Sequence, residues 1–222
     1  MTFHIITIFP SLFDSFMQES LIKKAQEKKR IAIVIHNLRE YTANAHKTVD
    51  DKPYGGGAGM VMKIEPLVAA LAEIRKKYVK TGSERIILLS PAGKQFTQRH
   101  AETYRKKYTH IIFICGRYEG VDARIKKYVD EELSLGPYVL NGGEVAAMAV
   151  VEAVSRLIPG VLGNKESLRE ESWNKGDALE YPQYTRPEKY HDQKVPRVLL
   201  SGDHAKIIEW RKKHTKKRKK CG

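Results

Sequence analysis

Four mostly apolar runs, at residues 3–8, 31–35, 85–89 and 111–115, alternate with stretches in which apolar residues recur at helical spacing. Runs of five or six such residues are too short for buried helices and suit strands covered on both faces. Strand then helix, repeated, predicts an α/β fold over residues 1–160, a mostly parallel sheet with helices on both faces. One helix is carried by Leu12, Phe13, Phe16, Leu21 and Ile22, and a second by Leu67, Val68, Leu71, Ile74 and Tyr78. Residues 97–107 give a third, with Thr97 as cap, residues 121–129 a short one, and the alanine- and valine-rich residues 144–157 a last. That last helix is apolar over most of its circumference, as expected of one buried on several sides, with a second subunit as one way to cover it.

Parallel sheets bind ligands beyond the carboxyl ends of their strands. Three loops stand there: SPAG at 90–93, GRYEG at 116–120 and LGPYVLNGG at 135–143. They offer many backbone amides and carbonyls but few side-chain ligands, which suits an adenine-containing ligand held by main-chain contacts. In residues 110–122, HIIFICGRYEGVD, the apolar run stops at Gly116 and gives way to Arg117, Tyr118, Glu119 and Asp122. As the one acid between two glycines, Glu119 reads at this level either as a catalytic carboxylate or as a solvated turn charge. Residues 46–60, HKTVDDKPYGGGAGM, make a long polar loop, and loops of that kind are usually functional or disordered.

Several chemistries find no support. The glycine run lacks the lysine and hydroxyl residue of a phosphate loop, and G-x-G-x-x-G is missing. No histidine pair has zinc spacing and no G-x-S-x-G elbow occurs. Cys115 and Cys221 are too few for a disulfide framework or a metal site. The N-terminus has no basic n-region and no apolar run nears the ~20 residues that span a bilayer, so a soluble, cytoplasmic protein is expected. The formal charge of +14 points to nucleic acid, and eight Lys and Arg residues fall within residues 211–220. After Pro159 the composition turns polar, which predicts a linker at 161–176 and a small helical domain with a basic tail at 177–222.

Seven segments in order, IFP at 8–10, VDDKPYGGGAGM at 49–60, LSPAGKQF at 89–96, CGRYEGVD at 115–122, LGPYVLNGGE at 135–144, VSRLIPGVLG at 154–163 and YPQYTRP at 181–187, resemble the bacterial tRNA (guanine-37) N1-methyltransferase family of the knotted (SPOUT) superfamily. The resemblance implies methyl transfer from S-adenosylmethionine to N1 of guanine 37 of tRNA, beside the anticodon. It also implies a deep trefoil knot and an obligate homodimer whose sites are completed by the partner's linker and C-terminal domain. A response to magnesium, often seen in the family, has no visible ligand cluster here.

By the same resemblance the cofactor contacts fall on Leu89, Ser90 and Pro91; on Gly116, Tyr118, Glu119 and Gly120; and on Leu135, Gly136, Pro137, Tyr138, Val139, Leu140, Gly142 and Gly143. Glu119 thereby becomes a ligand of the ribose hydroxyls. His46, Asp50 and Tyr54 fall at substrate contacts, Arg156 at the charge-stabilising arginine, and Glu171 at the catalytic base, where the family has aspartate. Glu170 and Asp177 compete for that role. The chain ends at Gly222 where relatives usually continue, and the basic run at 211–220 is expected to supply phosphate contacts in place of the missing ones. A knotted RNA-binding protein without catalysis is the second reading.

Overall fold

The four runs and a fifth strand at residues 131–134, whose sequence is the polar Glu-Glu-Leu-Ser, pair as one parallel sheet in the computed structural model, which describes residues 1–162 and 178–217. The strands are β1 (Thr2–Thr7), β2 (Ala32–Asn37), β5 (Glu84–Gln95), β6 (His110–Cys115) and β7 (Glu131–Ser134), in the order β2-β1-β6-β5-β7. Two short strands, β3 (Asp50–Asp51) and β4 (Val61–Met62), pair with each other beside it. The chain divides into two units, 1–163 and 164–222. Among the described residues no helix is long and apolar enough to cross a membrane.

Alternate residues of each strand feed two cores, as the two-residue period of a strand demands. Phe3, Ile5, Ile87, Leu89, Ile111, Phe113 and Cys115 face one side. There they meet α2 (Ser20–Glu27), α4 (Gln98–Lys107) and α5 (Glu144–Ser155). Ile6, Ile86, Leu88, Ile112 and Ile114 face the other, against α3 (Ile64–Tyr78). Each such side chain contributes roughly 1.5–3 kcal/mol by leaving water.

The predicted elements recur with three differences. The helix after Pro10 is broken into a 3-10 turn (Pro10–Phe13), α1 (Asp14–Gln18) and α2, with Glu19 extended and Ser20 at φ 53°. Its apolar spacing runs through the break, so periodicity could not find it. The helix expected at 121–129 shrinks to a 3-10 turn, Ala123–Lys127, capped by Asp122. Strand β5 continues past Ser90 to Gln95, with its pairing to β7 shifted between Leu89 and Lys94. Thr97 does cap α4, donating its N–H to His100 Nδ1 at 3.1 Å.

The second unit is less purely helical than its charge suggested. It holds α6 (Arg197–Leu200), α7 (His204–His214) and two short antiparallel ribbons, β8 (Ala178–Leu179) with β11 (Lys216–Lys217) and β9 (Lys189–Tyr190) with β10 (Gln193–Lys194). Trp210 centres a ring cluster with Tyr181, Tyr184 and His214, and the Arg211 guanidinium lies 4.9 Å over Tyr181. The basic run therefore starts inside α7 and continues through a paired strand; residues 218–222 lie outside the described part.

Three histidines cross the sheet on the α3 side. His4, fully buried on β1, meets His36 Nε2 at 3.1 Å and His110 Nδ1 at 3.2 Å, and His36 Nδ1 meets the Tyr41 hydroxyl at 3.1 Å. The Tyr78 ring packs on His4 and His36. Burial, and then repulsion from His36 and His110, pushes the His4 pKa down to about 3. Burial and Lys77 bring His36 down to about 4.

Both histidines are neutral in the fold and protonate near 6.5 when unfolded. The stability they allow is thus complete above pH 6.5 and is lost as pH falls towards 4 and 3, by up to about 1.4 kcal/mol per pH unit for each. Denaturant midpoints between pH 7.5 and 4.5 should fall along that slope, and less steeply in His4→Leu; equal slopes in the two proteins would contradict the assignment.

Candidate functional site

Strands β6, β5 and β7 are neighbours, so the loops after their carboxyl ends meet. They enclose a cavity of about 440 Å³. The first loop brings Leu89, Ser90 and Pro91 to its wall, the second Gly116, Tyr118, Glu119 and Gly120, and the third Leu135, Gly136, Tyr138, Val139, Leu140, Gly142 and Gly143. Of the residues placed there by resemblance, Pro137 alone is not part of the wall.

A buried ion pair holds the loops together. Glu144, 1% exposed at the start of α5, accepts from Arg117 Nε at 2.9 Å and from Thr7 Oγ1 at 2.8 Å. Arg117 Nη1 reaches the Asn141 carbonyl at 3.3 Å, and its guanidinium lies 4.7 Å over the Phe9 ring. One carboxylate thus ties β1 to the second and third loops. Nothing in the sequence reading gave Arg117, Glu144 or Thr7 this role. The signal was available in Glu144, a charge opening an almost wholly apolar helix, because a carboxylate in such surroundings needs a partner.

Glycine lets the loops approach. Gly143 N donates to the Gly116 carbonyl at 3.0 Å, and a Cβ on Gly143 would stand 2.8 Å from Cys115 Cα. Only a residue without a side chain fits there. Burial raises the Cys115 thiol pKa well above its ordinary value, and the nearby Glu144 adds to this.

The long glycine-rich loop closes on the second loop from outside. Glu119 N donates to the Met60 carbonyl at 3.0 Å, Met62 N to the Gly120 carbonyl at 2.9 Å and Asp122 N to the Met62 carbonyl at 3.0 Å. A Cβ on Gly59 would lie 2.6 Å from Glu119 Oε1, so this glycine gives the carboxylate its room. Asp50, on β3, neighbours Tyr118: burial first, then that carboxylate, raises the Tyr118 hydroxyl pKa, while Arg39 opposes them. His46 and Tyr54 are exposed and take no part in the cavity wall.

Arg156 caps the far end of α5. Twelve residues separate it from Glu144, about 18 Å of helix, so it does not share the cavity of its own chain. Glu170, Glu171 and Asp177 lie outside the described residues. Among the described residues no group of His, Cys, Asp and Glu could hold a metal ion. Two carboxylates line the cavity: Glu132, paired with Lys126 at 2.8 Å, and Glu119, which has no such partner among the described residues. Around them lie main-chain polar groups and apolar walls from Leu89, Leu133, Leu135 and Ala146, a donor set for a nucleoside.

The family model described as tRNA (guanine-1)-methyltransferase TrmD matches residues 1–221. A tRNA (guanine-N(1)-)-methyltransferase of Dictyoglomus turgidum is 51% identical over 214 residues, 96% of this chain and 84% of its own. That of Aster yellows witches'-broom phytoplasma is 51% identical over 218 residues, 98% of this chain and 87% of its own. Among solved structures, the tRNA (m1G37) methyltransferase of Aquifex aeolicus superposes with a TM-score of 0.79 at 40% identity, covering 96% of this chain and 87% of that one.

Arg117→Met should leave Glu144 buried without its cation and cost about 3–5 kcal/mol, read from denaturant unfolding. The double variant Arg117→Met/Glu144→Met should recover much of that loss. A single variant as stable as the parent would show that the ion pair does not hold the loops.

Proposed function

Because this chain belongs to the tRNA (guanine-1)-methyltransferase family, we propose that it transfers a methyl group from S-adenosylmethionine to N1 of guanine 37 in tRNA. The observation that carries the reading is the convergence of three strand-end loops, all with the family's motifs, on a single cavity. Its volume, main-chain lining and the Glu119 carboxylate fit an adenosyl group, with Glu119 at the ribose hydroxyls. Bound there, the cofactor supplies an electrophilic methyl group on sulfur.

The protein's task is to make guanine N1 a nucleophile. N1 carries a proton at neutral pH, and its removal puts negative charge on O6. Glu171 accepts that proton in this reading, and Arg156 donates to O6 as the charge develops. Asp50, through Tyr118, joins the glycine-rich loop to the cofactor loop, and His46 and Tyr54 on that loop contact the anticodon stem-loop.

Arg156 lies a helix length from its own cavity, which supports a homodimer in which each cavity is completed by the partner. Exposed apolar residues supply a face for it: Phe9, Leu12, Val139, Leu140 and Val145 surround the Glu144 end of α5. The trefoil knot draws support from β5. Its residues 90–93 wrap β7 so closely that a Cβ on Gly93 would collide with the backbone of Glu132 and Leu133. Residues 161–176 act as linker and 177–222 as a tRNA-gripping domain, in the cytoplasm where tRNA matures. A non-catalytic RNA-binding protein gains nothing from the relatives, which are named as methyltransferases.

Labelled methyl groups should pass from S-adenosylmethionine to unmodified tRNA carrying guanine 37 and not to tRNA lacking it. Glu171→Gln should lower the rate about 10²–10⁴-fold and Arg156→Ala about 10²–10³-fold, with Asp177→Asn near the parent. Loss in Asp177→Asn but not in Glu171→Gln would move the base to Asp177.

A further inference from the structure

The end of the sheet opposite the cavity carries a different surface. Residues 28–30 lead into β2, Met1 starts β1, residues 105–109 lead into β6, and residues 76–83 lead into β5. These turns are bonded into one rim. Ala32 N donates to the Met1 carbonyl at 2.9 Å, Thr2 N to the Thr109 carbonyl at 2.8 Å and Thr109 N to the Ser83 carbonyl at 2.9 Å, while the Met1 ammonium reaches the Arg30 carbonyl at 3.3 Å. Four adjacent strands at about 4.8 Å give the rim a width of roughly 15 Å.

Along it stand Lys28, Lys29, Arg30, the amino terminus, Lys106, Lys107, Lys77 and Lys80, the side chains all exposed. None of these side chains forms an ion pair among the described residues, whereas Arg75, nearby, is taken by Glu84. Cations in the last turn of a helix complement its dipole, but Lys29, Arg30 and Lys80 lie beyond the ends of α2 and α3. Unpaired like charge at this density repels itself and weakens the fold, so a compensating anion is the natural account of it.

We propose that this rim is a second tRNA contact, gripping backbone phosphates away from the reacting base. It rests on the reading of tRNA as substrate and adds a site to it. The contact reads charge and spacing, with no base recognition, and so it contributes affinity that decays with salt. Its position at the far end of the strands leaves the cavity and its loops untouched.

The test is the variant Lys28→Gln/Lys29→Gln/Lys106→Gln/Lys107→Gln of the full chain, with the four Lys→Arg changes as its charge-keeping counterpart. The Gln variant should raise the KM for tRNA roughly tenfold or more and flatten the slope of log affinity against log salt by about three. The Arg variant should keep the parent's slope. S-adenosylmethionine affinity should match the parent in both, and the Gln variant, relieved of self-repulsion, should melt no lower than the parent. A parent that methylates tRNA with a Gln variant of equal KM and slope would overturn the rim alone. A parent that binds no tRNA would overturn the rim and the substrate reading together. Loss of binding to phosphatidylserine vesicles with tRNA binding intact would assign the surface to membranes and reject the proposal.

Discussion

One carboxylate fixes the geometry on which the cavity depends. Glu144 sits where β1, the loop after β6 and the loop before α5 converge, and it accepts from one residue of each of the first two. A charge so deeply buried is stable only with its cation and hydroxyl in place, and those partners cannot reach it unless the loops are closed. The ion pair is therefore less a source of stability than a condition on shape. The glycines serve the same end, since the approach of Gly143 to Cys115 and of Gly142 to Arg117 leaves no volume for a side chain.

Four of the five strands follow from apolar runs that could be read directly, as do the three loops, whereas β7, Glu-Glu-Leu-Ser at the edge of the sheet, carries no such run. Period-two burial of Ile111 to Cys115 on alternate faces is what a run without polar interruptions must do when helices cover both sides. Local breaks were not legible. Glu19 and Ser20 interrupt a helix whose apolar spacing continues undisturbed, because periodicity reports which face is buried and not whether each hydrogen bond is made. The extension of β5 past Pro91 was hidden for the opposite reason: residues that look like a loop are held extended by β7.

At the site, residues carried over by motif lie together where main chain is the ligand, because loop position follows from strand position. The supporting side chains were harder to see. Arg117 could be read as a solvated turn charge and Glu144 as a helix-opening acid; only the fold brings their partners within reach, from residues 27 and 137 positions away. The histidines repeat the lesson. His4, His36 and His110 look scattered in sequence, yet the register of β2, β1 and β6 lines them up, and Tyr78 closes the row.

Charge is handled in two ways at the two ends of the same strands. At the carboxyl ends the Arg117–Glu144 pair is buried and holds the loops in one arrangement. At the amino ends of β2, β1, β6 and β5 a row of exposed lysines with Arg30 forms no ion pair among the described residues. A paired, buried charge has spent its field on its partner, whereas an exposed unpaired one extends it into solvent over about a Debye length, some 8–10 Å at physiological salt. An enzyme that must recognise one base on a large polyanion needs both properties. Placing them at opposite ends keeps the attracting field from competing for Glu119 or Glu144, and lets affinity for the substrate change without altering the loops that hold the cofactor.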